Sequence, residues 1–392
     1  MSNEREGGDS SGTESADLAD RLIGHWRGSG DGPTVICTAG IHGNEGAGVL
    51  AVQRVLARIE ADRLPLRGEF VGFRGNLRAL RAGRRFLDED LNRVWTESRL
   101  ASLSPPEEAS SEHREQMELR EAIESVLEQA LGPVWFMDLH TSSAEGNPFI
   151  CIGDTLKSRA FSFRFPLPVI LGLEETVEGA LLERMTSRGY ASLGAEGGQH
   201  DAPESAKCLE AVIWTGLDVA GALRGARPSD FEAWGQCLRG AAEGIPRVLE
   251  LVQRHGLAPG DGFEMLPGFR SFRRVARGDL LARDHGGEIR AQYDGRILLP
   301  LYQAVGDEGF FLVRGVKPFW IWISWAGRHL GLGALAHWLP GVRRDPERPG
   351  CLRVDRRVAR GWVREIFHLL GYRKQHLEGE NTLVVERHRS EH

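Results

Sequence analysis

The sequence has few cysteines, no long apolar run and no excess of positive charge, and each absence excludes a class of protein. The 392 residues include five cysteines and no CxxC pair, which argues against a disulfide framework or a Cys-type zinc site and indicates a reducing compartment. No uninterrupted apolar stretch of about 18 residues occurs, so we expect no membrane-spanning helix. With a net charge of −6, the chain also lacks the basic footprint of a nucleic-acid-binding protein.

The N-terminus is polar and has no apolar core that could serve as a secretory signal. We therefore expect residues 1–20 to form a disordered tail, and we expect a cytoplasmic protein. The remainder has the composition of a globular protein, with 41% hydrophobic and 27% charged residues. Its length predicts two or three domains.

A strand, a glycine-rich turn and a helix follow one another directly after the tail. Residues 33–39 are a short apolar run typical of a buried strand, residues 40–46 are rich in glycine, and residues 47–60 carry apolar side chains at helical spacing. Such a unit opens an α/β sheet. The same patterns predict further strands at 69–73, 134–139, 148–152 and 190–195, and helices at 105–131 and 229–255.

The composition and residue pattern of the sequence change twice in its second half. Residues 256–314 alternate short β runs with Gly, Asp and Pro turns, which predicts a small all-β domain. Residues 315–392 form a C-terminal extension that opens with an aromatic-rich run at 318–325. We interpret that run as a helix packed on the main α/β domain, residues 21–255; an interfacial membrane helix and a dimer contact are the alternatives.

Two histidines and one glutamate occupy positions suited to a metal site. His42 and Glu45 form an HxxE motif directly after the first predicted strand, and His140 ends the strand at 134–139. Parallel strands would bring all three to one sheet edge, where ligands bind in α/β folds. A His₂Glu set is a known zinc arrangement with an open fourth position. The alternative for His140 is a buried, hydrogen-bonded core histidine.

The HxxE spacing alone is unspecific, because it recurs twice. The copies at His285–Glu288, within a turn of the β region, and at His388–Glu391, in the polar terminus, are interpreted as solvated surface.

Two further segments carry groups suited to catalysis. Residues 84–93 interleave arginine with aspartate, which makes either a salt-bridged surface loop or a set of guanidinium groups that bind carboxylates. Glu196 follows a short predicted strand and precedes glycines. It is either a solvated glutamate or a general base beside a metal-bound water.

Together these motifs resemble the succinylglutamate desuccinylase/aspartoacylase family of the zinc carboxypeptidase-like superfamily. The resemblance rests on His42-Gly-Asn-Glu45, Asn76, Arg85 with Asp90-Leu-Asn-Arg93, Asp138-Leu-His-Thr141 and Glu196-Gly, in this order, and covers roughly residues 33–314.

The resemblance implies a fold and an activity. The fold would be a mixed, mostly parallel sheet with flanking helices, plus the small β domain. The activity would be hydrolysis of the amide of a small anionic N-acyl amino acid, with one Zn²⁺ per chain. The implied ligands are His42, Glu45 and His140. Of the other site residues, Arg85 would polarise the scissile carbonyl, Asn92 and Arg93 would hold a substrate carboxylate, and Glu196 would act as general base and acid.

The chain departs from the aspartate-specific members of that family. Those members use a further arginine upstream of the catalytic glutamate, and a tyrosine from the small domain. The candidates here are Arg184 and Arg188 for the arginine and Tyr302 for the tyrosine, since Leu299 stands where the tyrosine is expected.

Other functions stay open from the sequence. They are a non-catalytic zinc-binding regulatory or binding module, a metallocarboxypeptidase and an esterase. The acyl group, the amino acid and the oligomeric state, including a homo-oligomer, are likewise left open.

Overall fold

The computed structural model of the chain describes residues 20–28, 30–101, 109–303, 305–346, 348, 350–355, 357–358, 362–378 and 382–387. Residues 1–19 of the expected tail and the HxxE copy at residues 388–391 lie outside this set. Among the described residues, no helix has the length and apolarity needed to cross a membrane.

A large mixed sheet forms the centre of the molecule, with the strand order β1-β3-β2-β4-β7-β5-β6-β8-β14-β13-β10. Its strands and those of the smaller sheets are β1 (Leu22–Arg27), β2 (Thr34–Ala39), β3 (Glu69–Arg74), β4 (Val134–Ser142), β5 (Phe149–Ile152), β6 (Val169–Leu171), β7 (Ala191–Gln199), β8 (Val248–Gly256), β9 (Glu264–Met265), β10 (Arg274–Val275), β11 (Leu280–Asp284), β12 (Gly287–Arg290), β13 (Gly295–Leu298), β14 (Glu308–Gly315), β15 (Val342–Arg344), β16 (Cys351–Asp355), β17 (Tyr372–Glu378) and β18 (Thr382–Arg387).

Helices flank the central sheet and cover its apolar faces. They are α1 (Ala47–Ala61), α2 (Leu77–Ala82), α3 (Glu97–Leu100), α4 (Ser111–Gln129), α5 (Leu156–Ser162), α6 (Leu181–Ser187), α7 (Pro203–Ala220), α8 (Phe231–Ala241), α9 (Pro318–His329) and α10 (Trp362–Leu369), with short 3₁₀ segments at Leu91–Arg93, Glu174–Thr176 and Leu332–Trp338.

The predicted α/β fold class is confirmed. Among the central strands β3, β2, β4, β7, β5, β6 and β8, every neighbouring pair is parallel except β7 and β5. All six residues of β2 are buried, as expected for a strand covered on both faces. Helix α1 buries Ala51, Val52, Val55 and Ile59 against this sheet, at the spacing of one helical face.

The helix predicted at 229–255 is wrong in its second half. Helix α8 ends at Ala241, and residues Val248–Gly256 form strand β8 instead. Gly244, which has a positive φ of 73°, and Pro246 follow the helix and prevent its continuation. The run after them is rich in Val and Leu, and it pairs with β6 on one side and β14 on the other.

The region predicted as a small β domain is continuous with the main sheet. Strands β14, β13 and β10 extend that sheet beyond β8, and β9, β11 and β12 form a separate three-stranded sheet. The extension contributes a further sheet with the order β15-β16-β18-β17. The division at residues 255 and 314 therefore stays a proposal about folding units, since one sheet crosses the first boundary.

The cysteines provide a direct test of this packing. Cys37 and Cys208 are buried, and Cys237 is exposed. Burial raises the pKa of the Cys208 thiol to about 12 and raises that of Cys37 as well. We therefore expect iodoacetamide to modify Cys237 in the native protein and to reach Cys37 and Cys208 only after unfolding, as read by peptide mass spectrometry.

The control for this experiment is Cys237→Ser, which should lose the native-state labelling at that site. Modification of Cys37 at the rate of Cys237 in the native protein would contradict the packing of the central sheet.

Candidate active site

His42, Glu45 and His140 meet at the carboxyl edge of the central sheet. Strands β2 and β4 are parallel neighbours with Ala39 opposite Leu139, so the chain leaves both strands at the same level. One donor atom from each of the three side chains lies within 4.8 Å of the others, and all three residues are buried. Nδ1 of His42 lies 2.7 Å from Oε1 of Glu45, and Nδ1 of His140 lies 3.0 Å from Oε2.

A glycine allows the HxxE turn to pack closely on the next loop. A Cβ atom at Gly43 would lie 2.1 Å from the carbonyl carbon of Ala79 and 2.4 Å from the carbonyl oxygen of Arg84. Both contacts are with backbone, so they cannot be relieved by a side-chain movement. The backbone N–H of Gly43 donates to the carbonyl of Arg85, which ties the turn to the arginine-rich loop.

Two aspartates lie behind the histidines. Nε2 of His42 is 3.1 Å from Oδ1 of Asp90, and Nε2 of His140 is 3.0 Å from Oδ2 of Asp138. A carboxylate on the far nitrogen fixes the orientation of an imidazole and directs its other nitrogen toward a metal ion. Here both Nδ1 atoms consequently face Glu45. Both aspartates belong to motifs recognised in the sequence, Asp90-Leu-Asn-Arg93 and Asp138-Leu-His-Thr141, but the sequence did not predict this role for them.

The electrostatics of the cluster suit a cation. Burial lowers the pKa of His140, but the carboxylates of Asp138 and Glu45 outweigh it and hold that pKa well above its usual value. Burial also acts to raise the pKa of Asp90, but His42 and Arg85 hold it well below the usual range. Three carboxylates thus lie buried around two imidazoles, and two nitrogen donors with one carboxylate form a set that zinc accepts.

Glu196 lies next to this cluster on strand β7. Strands β4 and β7 are parallel, with His140 directly opposite Glu196 in register. The Oε2 atom of Glu196 is buried and has no hydrogen-bond partner among the described residues. Burial is the main cause that raises the pKa of Glu196 to about 7. A carboxyl group whose pKa lies near neutrality, and whose oxygen makes no structural hydrogen bond, can accept a proton and return it.

The backbone of the loop 84–93 is held beside the cluster by Glu112. The buried carboxylate of Glu112, on α4, accepts hydrogen bonds from the backbone N–H groups of Leu87, Asp88 and Glu89. It also accepts one from the Asn76 side chain. No sequence signal pointed to Glu112, because its role depends on where α4 packs.

Arg85 lies beside the proposed metal ligands. Its Nη2 is 2.9 Å from Oδ2 of Asp90, and its Nη1 is 4.0 Å from Oε1 of Glu45. Nε of Arg85 is buried and makes no hydrogen bond within the described part of the chain. Arg85 is thus salt-bridged, as the surface-loop alternative expects, but its partner lies beside the buried ligand cluster.

Asn92 and Arg93 reach the same cavity but are partly engaged. The side-chain oxygen of Asn92 accepts the backbone N–H of Leu181 at 3.0 Å, which leaves its NH₂ group as the donor. Arg93 pairs with Glu308 at 2.9 Å and lies 3.6 Å from Asp307. The sequence did not predict this neutralisation of Arg93, since its partners come from strand β14 and the residue before it.

A cavity of about 170 Å³ connects these groups. Apart from the residues already described, its wall is largely apolar. These wall residues include Leu173, Val177, Ala180, Leu182, Leu299 and Phe311.

The candidates for a second carboxylate site lie elsewhere. Arg184 pairs with Glu97 and Arg188 with Glu124 on the outer surface. The hydroxyl of Tyr302 donates to the carbonyl of Leu266 and accepts from the N–H of Phe269. None of the three lines the cavity. The HxxE copy at residues 285–288 is exposed, as expected.

His200 is a cavity residue that sequence reasoning did not use. Its Nδ1 is 2.8 Å from Oγ1 of Thr141, and its Nε2 is 3.4 Å from Nδ2 of Asn44. Asn44 belongs to the HxxE turn and Thr141 follows His140, so His200 links the two ligand-bearing segments. Its position four residues after Glu196 was the available signal.

Comparison with known proteins agrees with the family resemblance seen in the sequence. A family model described as the succinylglutamate desuccinylase/aspartoacylase catalytic domain matches residues 31–164. Succinylglutamate desuccinylase from Burkholderia pseudomallei is 34% identical over 149 residues, which cover 34% of this chain and 42% of that relative. The match therefore spans less than half the length of this curated relative.

Solved structures extend the likeness of fold over more of the chain. Succinylglutamate desuccinylase/aspartoacylase from Rhodobacter sphaeroides has a TM-score of 0.56 at 19% identity and covers 76% of this chain and 88% of its own. The ectoine utilization protein of Ruegeria pomeroyi has a TM-score of 0.53 at 21% identity and covers 74% and 86%. The family model matches the segment that holds His42, Glu45 and His140, so the resemblance seen in the sequence is confirmed over residues 31–164, which are similar to the succinylglutamate desuccinylase/aspartoacylase catalytic domain.

Proposed function

We propose that the chain is a zinc-dependent hydrolase that cleaves the amide bond of a small N-acylated amino acid and releases a carboxylate and an amine. The observation that supports this most is the convergence of two imidazole nitrogens and one carboxylate in the wall of a cavity that also contains Glu196 and Arg85. The name of the Burkholderia relative, a desuccinylase, belongs to the same class of reaction.

His42, Glu45 and His140 would hold one zinc ion per chain. When bound, zinc supplies Lewis acidity toward an amide carbonyl and lowers the pKa of a coordinated water. Asp90 and Asp138 would keep both imidazoles oriented for that ion, as carboxylates behind metal-binding histidines commonly do.

Glu196 would move the proton that the reaction requires. Hydrolysis adds water across the C–N bond, so one proton must leave the water and one must reach the departing nitrogen. The free Oε2 of Glu196, buried beside His140, is suited to take the first and to deliver it to the amine.

Arg85 would stabilise the negative charge that develops on the carbonyl oxygen. A fixed guanidinium in a buried site does this well because it need not reorganise during the reaction. Its bond to Asp90 holds it in place next to the ligand cluster. Asn92, through its NH₂ group, and Arg93 would bind the substrate carboxylate.

We infer a substrate that has one carboxylate near these groups rather than two. Arg93 already shares its charge with Glu308, and neither Arg184, Arg188 nor Tyr302 lines the cavity. The apolar wall formed by residues such as Leu182 and Phe311 is better suited to an uncharged acyl or side-chain group.

A non-catalytic binding module is the second candidate. The engagement of Arg93 and the position of Arg184, Arg188 and Tyr302 outside the cavity wall favour it, because both would weaken binding of a dicarboxylate substrate. It predicts bound zinc without turnover of any N-acyl amino acid.

Removal of a proposed ligand should remove the metal. We expect His140→Ala to lose its zinc, because only two of the three donors remain, while His285→Ala, in the exposed HxxE copy, retains one zinc per chain. The measurement is elemental analysis of both purified variants after dialysis, together with their melting temperatures. Zinc stabilises only a chain that binds it, by about 2.7 kcal/mol at a hundredfold excess over Kd. Retention of one zinc by His140→Ala would contradict the site.

The proton-transfer role is tested by an isosteric change. Glu196→Gln should retain zinc and lower kcat by about 10²- to 10⁴-fold, because the amide cannot accept the proton. The matched control is Glu204→Gln, the same change at an exposed position on α7, which should leave kcat unchanged. Wild-type kcat in Glu196→Gln would contradict the assignment.

The single-carboxylate inference is tested with a substrate panel read by amine release. We expect kcat/KM for N-acetyl derivatives of apolar amino acids to exceed that for N-acetylaspartate and N-succinylglutamate by about tenfold or more, a difference of about 1.4 kcal/mol. Glu308→Gln should narrow this gap by freeing Arg93, whereas Tyr302→Phe should not change it. A preference for either dicarboxylate in the wild type would contradict the inference.

A further inference from the structure

Helix α9 has its polar and apolar faces reversed. A surface helix normally turns its apolar face to the core and its polar face to water. Here the buried positions of α9 are Ser324, Gly327 and Arg328, and only Ile321 among its large apolar residues packs against the main core. Phe319, Trp322 and Trp325 on the helix are exposed, and so is Leu330, which directly follows it.

Buried polar contacts hold the helix in this orientation. The guanidinium of Arg328 donates to the carbonyl oxygen of Asp154 at 2.6 Å and to its carboxylate at 2.9 Å. Arg159 on α5 donates to the hydroxyl of Ser324 at 3.0 Å, and that hydroxyl donates to the carbonyl of Leu369 on α10. Rotation of α9 to hide its aromatic side chains would break the Arg328–Asp154 pair and the hydrogen bonds of Ser324, and breaking a buried ion pair is costly.

The exposed apolar side chains continue from α9 into the 3₁₀ segment that follows. We call this set the aromatic row. Its six most exposed members and their exposed fractions are Phe319 (61%), Trp322 (62%), Trp325 (51%), Leu330 (74%), Leu335 (47%) and Trp338 (76%).

Large apolar side chains that are exposed together in one segment are a feature of interaction surfaces. Scattered apolar residues are normal on a protein surface, but a contiguous set of large ones marks a binding site for a protein, a membrane or a ligand. The row is also rich in tryptophan, the residue that favours the boundary between water and lipid.

The charge distribution indicates which partner fits. Residues 315–392 contain 14 Lys and Arg and eight Asp and Glu, a net charge of +6, whereas residues 1–314 have a net charge of −12. Lys317 lies immediately before α9, and Arg343 and Arg344 follow the end of the row. All three are exposed, and within the described part of the chain none of them forms a salt bridge. The row is therefore flanked by basic charge at both ends.

We propose that the aromatic row docks on an anionic lipid surface, with α9 lying in the plane of the interface. Tryptophan, phenylalanine and leucine would enter the acyl boundary, and the flanking basic groups would pair with lipid phosphates. A second copy of the chain fits less well, because a two-fold contact would oppose two extensions that each have a net charge of +6.

The test uses the full chain and vesicles of stated composition. The wild type should float with vesicles of phosphatidylcholine and phosphatidylglycerol in equal parts and not with phosphatidylcholine alone. Its binding should weaken when ionic strength is raised to about 1 M, where the Debye length falls to about 3 Å. Brominated anionic lipids should also quench tryptophan emission in the wild type, a readout that needs no variant.

Variants assign the binding to the row. Trp322→Ser combined with Trp325→Ser and Leu330→Ser should lower vesicle partitioning by about tenfold or more, since three apolar side chains that would enter the acyl boundary are lost. Leu131→Ser, at an equally exposed leucine outside the row (83% exposed), should not change it. An unchanged melting temperature would show that the triple variant is folded.

Several results would overturn the proposal. They are absence of flotation and of quenching with anionic vesicles, equal binding to neutral vesicles, and equal loss of binding in Leu131→Ser. A dimer that the triple variant disrupts, without vesicle binding, would assign the row to a second copy. Binding of single-stranded RNA without vesicle binding would assign the basic surface to nucleic acid.

Discussion

The parallel register of β2, β4 and β7 is the constraint on which the site depends. Neighbouring parallel strands end at the same edge, so Ala39 opposite Leu139 brings the HxxE turn beside His140. The next pairing brings Glu196 beside His140 in turn. Because a shift of one residue in a strand moves each of its side chains to the opposite face of the sheet, the site exists only while this register is kept. The fully buried β2 and the helices on both faces stabilise that register, and the cavity lies where the three strands end.

The cluster at this edge places three buried carboxylates around two imidazoles and the guanidinium of Arg85. Glu45, Asp90 and Asp138 are all buried, and each lies within hydrogen-bonding distance of a histidine nitrogen. Buried carboxylates are costly unless paired, so two imidazoles and Arg85 meet part of that cost in the protein alone. Metal binding requires neutral imidazoles, so a divalent cation held by His42, Glu45 and His140 would replace their positive charge beside the carboxylates.

Sequence reasoning predicted those members of the candidate site that directly follow a strong local signal, and the structure brings them together. His42, His140 and Glu196 each lie at the end of or just after an apolar run, and an apolar run predicts a buried strand with little ambiguity. The partners of these residues could not be predicted in this way. Glu112 and Glu308 act across sequence separations of 23 and 215 residues, from Glu89 and Arg93, and only the packed chain brings them together. The helix predicted up to residue 255 failed for a related reason, since the apolar residues of β8 suit either element until β6 and β14 pair with it.

The extension and the cavity wall share one buried joint. Arg328 binds both the carbonyl and the carboxylate of Asp154, and the N–H of Asp154 donates to Glu175 in the 3₁₀ segment Glu174–Thr176. Strand β17 packs against the same 3₁₀ segment. Glu174, within that segment, and Val177, directly after it, line the cavity. A buried ion pair of this kind adds little net stability, because desolvation offsets its attraction, but it tolerates few alternative geometries. The same buried contacts therefore reach two surfaces: Arg328 holds α9 with the aromatic row outward, and Asp154 bonds the 3₁₀ segment that contributes Glu174 to the cavity wall.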